Sequence, residues 1–512
     1  MKNSIGREIP ESIAGYSEFH NYSSPFERKL VGRQAAPLLK QVKPGDTKLA
    51  NDIKEVIKKT GLKDGMTISF HHHFRSGDYI LNMVVDTIAE MGIKNIAIVP
   101  SSLSSIHEPL VEHIENGVIT EIHTSGVRGK LADAISNGLM EKPIVIRSHG
   151  GRARAIEAGE VKIDVAFIGV PSSDEYGNAK GKGEKTMCGS LGYAMVDAKH
   201  ADTVVIITDD LVAYPNVPAS IDQTKVDYVV KVDSVGDPNG IASGATRFTK
   251  NPKELLIAEY ASKVIINSQY FKDRFSFQTG SGGSSLAVTR FLKNEMKSRD
   301  YRARFALGGI TKPMVEMHEE GLIENLFDVQ SFDLVAAESI SDNIRHHEID
   351  ASQYANPHNK GCFANQLDIV ILSALEIDQN FNVNVITGSD GVIRGASGGH
   401  SDTAASAKLS MIVAPLVRGR IPTVVDSVNT VITPGETVDV LVTDRGIAIN
   451  PKRTDLIESL KDKELPITTI EELKEMAEKI VGKPNPIEYK DRVVAVVEYR
   501  DGSIIDVIRQ VG

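Results

Sequence analysis

The chain has no tryptophan, two cysteines, and aromatic side chains at 5% of its 512 residues. Cys188 and Cys362 alone cannot build a disulfide framework, and they match no zinc-ligand spacing, so a reducing cytoplasm is the expected compartment. No apolar run approaches the roughly 18 to 20 residues of a membrane span. The polar stretch from Met1 to Phe26 also lacks the apolar core of a signal peptide, so no membrane association is expected. Positive charge is not in excess: Lys+Arg 58 against Asp+Glu 68 gives a net charge of −10. That balance argues against nucleic acid as a partner, while leaving room for a local basic cleft that serves an anionic substrate. Disorder and low complexity are excluded by 41% hydrophobic residues with 42 Gly and 21 Pro.

What is present is an extended α/β pattern, long enough for two or three domains at roughly 150 residues each. Residues 1–40 lack periodicity and read as an N-terminal arm or lid. Leu49, Ile53, Val56 and Ile57 then recur at helical spacing, with Asp46 as N-cap and Gly61 as stop. A strand over 66–70 leads into His71-His72-His73-Phe74-Arg75-Ser76-Gly77, and a helix carried by Ile80, Leu81, Val84, Val85 and Ile88 follows. Strand-like runs come next at 95–99, 143–146, 164–170 and 203–208. Short apolar strands alternating with helices predict an α/β fold, a mostly parallel sheet flanked by helices.

After the turn-rich stretch 237–244 the pattern restarts, which puts a domain boundary near residue 245. A helix over 254–264, a strand over 275–278, a Gly-rich loop and a helix over 285–296 follow. Two blocks also match across the chain: Asp164 and seven strand residues lead to Asp174 and Asn178, while Asp368 and its strand lead to Asp378 and Asn382. Shared strand, order and offsets predict two tandem related domains, 41–245 and 246–512. Near the end, Thr469 to Glu472 reads as a capping box, and 493–497 with 503–507 as a hairpin around Asp501-Gly502.

Three glycine-rich segments fall at strand ends in the second half: Gln278-Thr279-Gly280-Ser281-Gly282-Gly283, Gly308-Gly309-Ile310-Thr311, and Gly395-Ala396-Ser397-Gly398-Gly399-His400 with a helix running on to Leu409. Ligands of open α/β sheets bind at the carboxyl ends of strands, where glycine lets backbone N–H groups come close. None of the three is a Walker loop or a dinucleotide fingerprint, and each alone is also what a tight turn needs. Together they read as a phosphate- or acyl-binding cleft. Adjacent histidines on extended chain point to opposite faces, so at most two of His71–His73 could serve one ion, and no second ligand cluster accompanies them. Substrate contact or a buried structural role is favoured over metal, and no metal is predicted. Arg75, Arg147, His149, Arg152 and Arg154 are basic clusters in an acidic chain, readable as solvated charge or as recognition of carboxylates. No nucleophile elbow is present. Glu376 and Asp378 are open to an acid/base role and equally to a turn role.

The block from Asp164 to Asn178 resembles the strand-loop of CoA-transferase domains. Gln278 to Gly283, Ser373-Ala-Leu-Glu-Ile-Asp378 and Ser397-Gly-Gly399 resemble, in order, the CoA-binding half of acetyl-CoA hydrolases and transferases. Lys63 to Asp78, His149-Gly-Gly-Arg-Ala-Arg154 on to Gly159, and Ala213-Tyr-Pro-Asn-Val-Pro218 are similar to the citrate lyase α-subunit family, over nearly the whole chain from about residue 30. The resemblance implies two CoA-transferase-like domains and exchange of acetate for citrate on a thioester. It implies CoA, or the CoA-like prosthetic group of an acyl carrier γ subunit, as thiol, and a β subunit as the other partner. It places the thioester at Gln278, Gly280, Gly282, Gly283, Gly309, Ser397, Gly398 and Gly399, and citrate at His72, Arg75, Gly150, Gly151 and Arg152. Related transferases that form a glutamyl thioester carry Glu after the second glycine segment; here Lys312 and Pro313 stand there, so a route without a protein nucleophile is expected and no catalytic residue is assigned. A CoA-transferase or hydrolase for another carboxylate, or a non-catalytic acyl-CoA or sugar-phosphate sensor, are the competing readings.

Overall fold

A computed structural model describes residues 1–16, 19–24, 40, 42–242, 249–280 and 282–512. The boundary near residue 245 and Ser281 fall outside the described residues. The apolar runs form seven consecutive parallel strands in each half. In the first they are β1 (Thr67–Phe70), β2 (Ile96–Pro100), β3 (Ile119–Thr124), β4 (Ile144–Ile146), β5 (Val165–Val170), β6 (Thr203–Thr208) and β7 (Tyr228–Lys231). In the second they are β8 (Ser276–Thr279), β9 (Phe305–Ile310), β10 (Leu326–Ser331), β11 (His346–Glu348), β12 (Ile369–Ser373), β13 (Leu409–Val413) and β14 (Val440–Val442). Their spatial orders are β4-β3-β2-β1-β5-β6-β7 and β11-β10-β9-β8-β12-β13-β14, one order used twice. Helices cover the faces, so β5 and β13 are buried at every residue.

The repeated Asp and Asn residues show why the two blocks match. Asp164 Oδ2 accepts the backbone N–H of Thr67 at 2.8 Å, and Asp368 Oδ2 accepts that of Ser276 at 2.9 Å, each pinning the start of the first strand of its half. Asp174 accepts the N–H of Asn178 at 3.1 Å and its side-chain amide at 2.7 Å. Asp378 does the same with Asn382, at 3.0 and 3.1 Å. Asn178 and Asn382 in turn accept Gln223 N at 3.0 Å and Gly435 N at 2.9 Å. Asp378 and Glu376, which Asn384 and Asn429 hold by hydrogen bonds, are therefore bound up in turn contacts.

Several local expectations shift. The first long helix, α1 (Ile53–Thr60), is capped by Asp52, whose carboxylate accepts Glu55 N at 2.7 Å, and not by Asp46. Leu49–Ala50 instead adds an edge strand to β7, where backbone pairing outweighs one more helical turn. Gly308 and Gly309 sit inside β9 at a register irregularity, so the second glycine segment is a bulge and not a loop. Gly308 has φ +99, and a Cβ at Gly309 would lie 2.3 Å from the Phe332 ring. The helix expected to reach Leu409 is the short α8 (His400–Ala404), and Leu409 opens β13.

The capping box at Thr469 and Glu472 is formed, starting the helix Ile470–Val481. The C-terminal hairpin, β15 (Tyr489–Glu498) and β16 (Ser503–Val511), joins the first sheet beside β4, so the last residues of the chain return to the first half. The described part of the N-terminal arm is pinned to it: His20–Asn21 pairs with Ser503–Ile504, and Ile9 and Ile13 pack with Val496, Ile504 and Val507. Among the described residues no helix is long and apolar enough to cross a membrane.

Candidate active site

The carboxyl ends of β1 to β4 and of β8, β9, β10, β12 and β13 line one cavity of about 880 Å³. The halves are stitched along it. Ser397 N donates to Ser125 O at 2.7 Å, Gln330 Nε2 to His72 O at 3.0 Å, and His149 N to Gly398 O at 2.9 Å.

The first half supplies side chains. β1 ends at Phe70, and the three histidines that follow alternate as an extended segment must. His71 and His73 turn inward with stacked rings 5.9 Å apart; His71 Nε2 meets Asp197 at 2.8 Å and His73 Nε2 donates to Gly169 O at 2.9 Å. His72 turns into the cavity between Tyr193, 5.1 Å from its ring, and His149, 5.8 Å away. His72 N donates to Ser101 Oγ at 3.1 Å, and that hydroxyl lies 2.5 Å from His72 Nδ1. If Ser101 directs its proton to Nδ1, the imidazole proton is left on Nε2. Burial, then the neighbouring charges of His149 and Arg75, push the His72 pKa well below its usual value. Burial, then Arg152, takes His149 down to about 3. Both rings are neutral donor–acceptor groups at neutral pH.

Arg75 follows at φ +54, a left-handed conformation costly for a side chain of this size. Its guanidinium lies 4.9 Å over the Phe332 ring and donates to Ile241 O at 3.3 Å. Burial, then the nearby Arg128, lowers its pKa to about 10.

The second half supplies backbone and hydroxyls. α6 (Gly283–Arg299) starts at the cavity with no side-chain cap, leaving first-turn N–H groups for a ligand. A Cβ at Gly280 or Gly282 would meet nothing nearer than 3.5 and 4.0 Å. Packing therefore does not demand glycine there, whereas a ligand lying on the backbone would. Around them Gln278 Oε1, Thr279 Oγ1 and Ser285 Oγ are buried without a hydrogen-bond partner among the described residues. These residues fit a polar thioester arm. Gln278 Nε2 donates to Tyr354 OH at 3.0 Å. Gly399 is needed by packing, since a Cβ would lie 2.2 Å from that hydroxyl, and Gly398 has φ +54 beside His149. His400 is a structural group, its Nε2 donating to Ser373 O at 2.8 Å and its Nδ1 meeting Thr433 at 2.7 Å.

Of the residues singled out in sequence, His72, Arg75, Gln278, Gly280, Gly282, Gly283, Gly309, Ser397, Gly398 and Gly399 line the cavity. Gly150, Gly151 and Arg152 do not. Gly150 lets the helix α3 (His149–Glu157) approach Ala355, whose carbonyl a Cβ would meet at 2.1 Å, and its N–H is taken by Asp402 at 2.9 Å. Gly151 N binds Ser148 Oγ at 3.0 Å. Arg152 is buried with both nitrogens on Asp197, at 2.8 and 2.7 Å, and one on Val99 O. Burial would raise the Asp197 pKa, but Arg152 and His71 hold it well below the usual carboxylate range. Arg147 and Arg154 are likewise neutralised, by Glu498 and by Glu160. Arg147, Arg152 and Arg154 are therefore held in ion pairs away from the cavity lining, while Arg75 and His149 line it.

Lys312, where related transferases carry a nucleophilic carboxylate, is an exposed residue that opens the half-buried helix Lys312–Glu319 outside the cavity. Among the lining residues Glu254 alone carries a carboxylate, on the first turn of α5 (Pro252–Asn267). Among the described residues no group of three or more His, Cys, Asp or Glu is placed to hold a metal. The cysteines are free and buried. Sequence reading missed Arg128, Tyr193 and Ser101. The strand before Arg128, Ile119–Thr124, carries its buried residues at Ile119, Ile122 and Thr124, and its Glu and His obscured the apolar run.

The model of the family "Citrate lyase, alpha subunit (CitF)" matches residues 46–511. The citrate lyase alpha chain of Escherichia coli is 61% identical over 469 residues, 92% of each chain. That of Haemophilus influenzae is 60% identical over 466 residues, 91% of this chain and 93% of its own. A solved structure from Streptococcus mutans, described as an alpha subunit of citrate lyase in complex with citrate, superposes with a TM-score of 0.97 at 62% identity over all of both chains. A malonate decarboxylase alpha subunit from Acinetobacter baumannii shares the fold at 15% identity, TM-score 0.63, over 86% of this chain and 94% of its own. With a family model spanning nearly the whole sequence and relatives of about 60% identity at matching length, the chain belongs to the citrate lyase alpha subunit family.

Proposed function

We propose that the chain exchanges acetate for citrate on an acyl thioester, giving a citryl thioester and free acetate, as the α subunit of a citrate lyase. The observation that carries this is the cavity itself: a wall of histidines and of arginines without a carboxylate partner among the described residues faces a wall of open glycines and unsatisfied hydroxyls. Relatives of about 60% identity bear the citrate lyase alpha chain name, and one described structure holds citrate. The two walls come from the halves 41–245 and 246–512, which act as two domains around a shared cleft. The thiol is that of CoA or of a CoA-like group on an acyl carrier γ subunit. A β subunit then cleaves the citryl thioester. The cytoplasm is the compartment.

A citrate carboxylate attacks the thioester carbonyl, the π pair moves to oxygen, and collapse expels the thiolate to leave a mixed acetyl-citryl anhydride. The citryl carbonyl then takes the thiolate back and acetate departs. No protein nucleophile is needed. The chain's part is to hold both substrates in line, to donate to the developing oxyanions, and to keep water out. N–H groups at the start of α6 and the neutral His72 and His149 are the donors available.

Purified protein given acetyl-CoA and citrate is expected to form citryl-CoA and acetate. Folded protein that binds acetyl-CoA yet makes no citryl-CoA sinks the reading. Hydrolysis of acetyl-CoA without an acceptor acid favours the hydrolase alternative. Arg75→Ala is expected to raise the citrate KM by about 10- to 50-fold and leave acetyl-CoA binding intact. Equal loss of both would remove citrate from the first-half wall.

A further inference from the structure

The cavity is lined by the cations Arg75, Arg128, Lys253, Arg394 and Arg418 against one carboxylate, Glu254. Most are already occupied or lie away from the first-half wall. Arg394 pairs with Asp133 and Asp390, and Arg418 donates to the carbonyls of Ala374 and Leu375. Lys253 sits beside Glu254 on α5, in the second half.

Arg75 and Arg128 differ. Among the described residues neither has a carboxylate within ion-pair distance, and both stand on the first-half wall, Arg75 after β1 and Arg128 after β3. They line the same cavity as His72, and the charges of both lower its pKa. Desolvation by the surrounding protein lowers the Arg128 pKa although the residue is exposed, and its charge lowers that of Arg75. Two guanidinium groups close enough to repel, without a protein counterion, are a cost that a bound polyanion would relieve.

We infer that Arg75 and Arg128 form a clamp for the two citrate carboxylates that do not react, so that the third is left free to attack the thioester. This rests on the proposed citrate exchange and deepens it. Citrate has three carboxylates. Attack converts one into an uncharged anhydride carbonyl, and two negative charges persist through both steps, matching the two unpaired guanidinium groups. Each planar fork suits a bidentate carboxylate. An acid with a single carboxylate can occupy one fork only by giving up the group that must react. Selection of a tricarboxylate over simpler acids thus follows from the number of unpaired arginines.

The test is steady-state exchange with acetyl-CoA and a panel of citrate, succinate and propionate, for the wild-type chain and for Arg128→Ala and Arg128→Lys. Arg128→Ala is expected to raise the citrate KM about 10- to 100-fold, with kcat and the acetyl-CoA KM changed far less. Its preference for citrate over succinate should fall by a similar factor, and Arg128→Lys should recover part of it. A purely structural role would lower activity with every acid alike and leave that ratio fixed, which overturns the clamp. An unchanged citrate KM in well-folded Arg128→Ala overturns it too. If instead the wild-type chain makes no citryl-CoA, it is the exchange reading that fails. Direct binding of citrate by calorimetry then tests the clamp alone: loss of citrate binding in Arg128→Ala supports it, and undiminished binding or none in wild type overturns it.

Discussion

The loops after β1 and β8 occupy the same place in the two halves, the carboxyl end of the first strand, and are built from opposite materials. After β1 come His71 to Arg75, bulky and titratable; after β8 come Gly280 to Ser285, with a helix start and small hydroxyls. The scaffold beneath is one design used twice, down to the aspartate that pins each first strand. The two halves share the strand order and the buried carboxylate contacts and differ in the strand-end loops, because a loop end carries few packing obligations. In the proposed exchange one wall holds the polyanion by side-chain charge and the other the thioester by backbone dipoles.

The comparison breaks most sharply at arginine. Arg152→Ala leaves the buried Asp197 with His71 alone in place of its guanidinium and should cost about 3–5 kcal/mol of stability, seen as a lowered urea midpoint. Arg75→Ala should change it by less than about 1 kcal/mol. Similar midpoints for the two variants would erase the distinction between structural and ligand-facing arginines. On the glycine wall, Gly282→Val should fold normally yet lose about 100-fold in acetyl-CoA turnover, since the added bulk points into open space. Retained activity would mean the thioester lies elsewhere.

Acid should expose a further difference. Burial holds His73 at about 4, His149 at about 3 and His400 at about 4, all below the unfolded value near 6.5. The unfolded chain therefore binds more protons in this range. Stability contributed by neutral burial is complete above about pH 6.5 and is lost as pH falls towards 3–4, at up to about 1.4 kcal/mol per pH unit for each histidine. Two of the three sit on the first half. His149→Asn should flatten the acid limb of urea midpoint against pH as His400→Asn does; an unaltered slope in either removes that histidine from the account. The smallest effect concerns the paired turns. Asp174→Asn and Asp378→Asn should each cost about 1 kcal/mol. The cost should be larger at 174, where hydrogen bonds outweigh burial and lower the carboxyl pKa, than at 378, where burial raises it. The reverse order would show that hydrogen bonds do not outweigh burial at Asp174.

Much of this was legible in sequence. Buried parallel strands are continuous apolar runs, so β5, β6 and β12 could be read directly, and the capping box and final hairpin rest on contacts within a few residues. The Gly280 loop and His72 were legible because each follows a readable strand. The arginines were not. Arg75, Arg147, Arg152 and Arg154 look alike in a string, and what separates them is whether Asp197, Glu160 or Glu498 arrives from elsewhere in the chain. The bulge at Gly308–Gly309 is a similar case, since the Phe332 ring that requires it comes from beyond the next strand.

Sequence by itself determined the α/β class, the internal repeat, the family resemblance and the absence of a nucleophile motif, because these depend on residue type, local spacing and order. Tertiary structure alone decided which cations remain unpaired, which glycines face open space, and that the last strands return to the first sheet. Charge neutralisation and close approach are properties of residues brought together across hundreds of positions, and no local pattern encodes who the partner is.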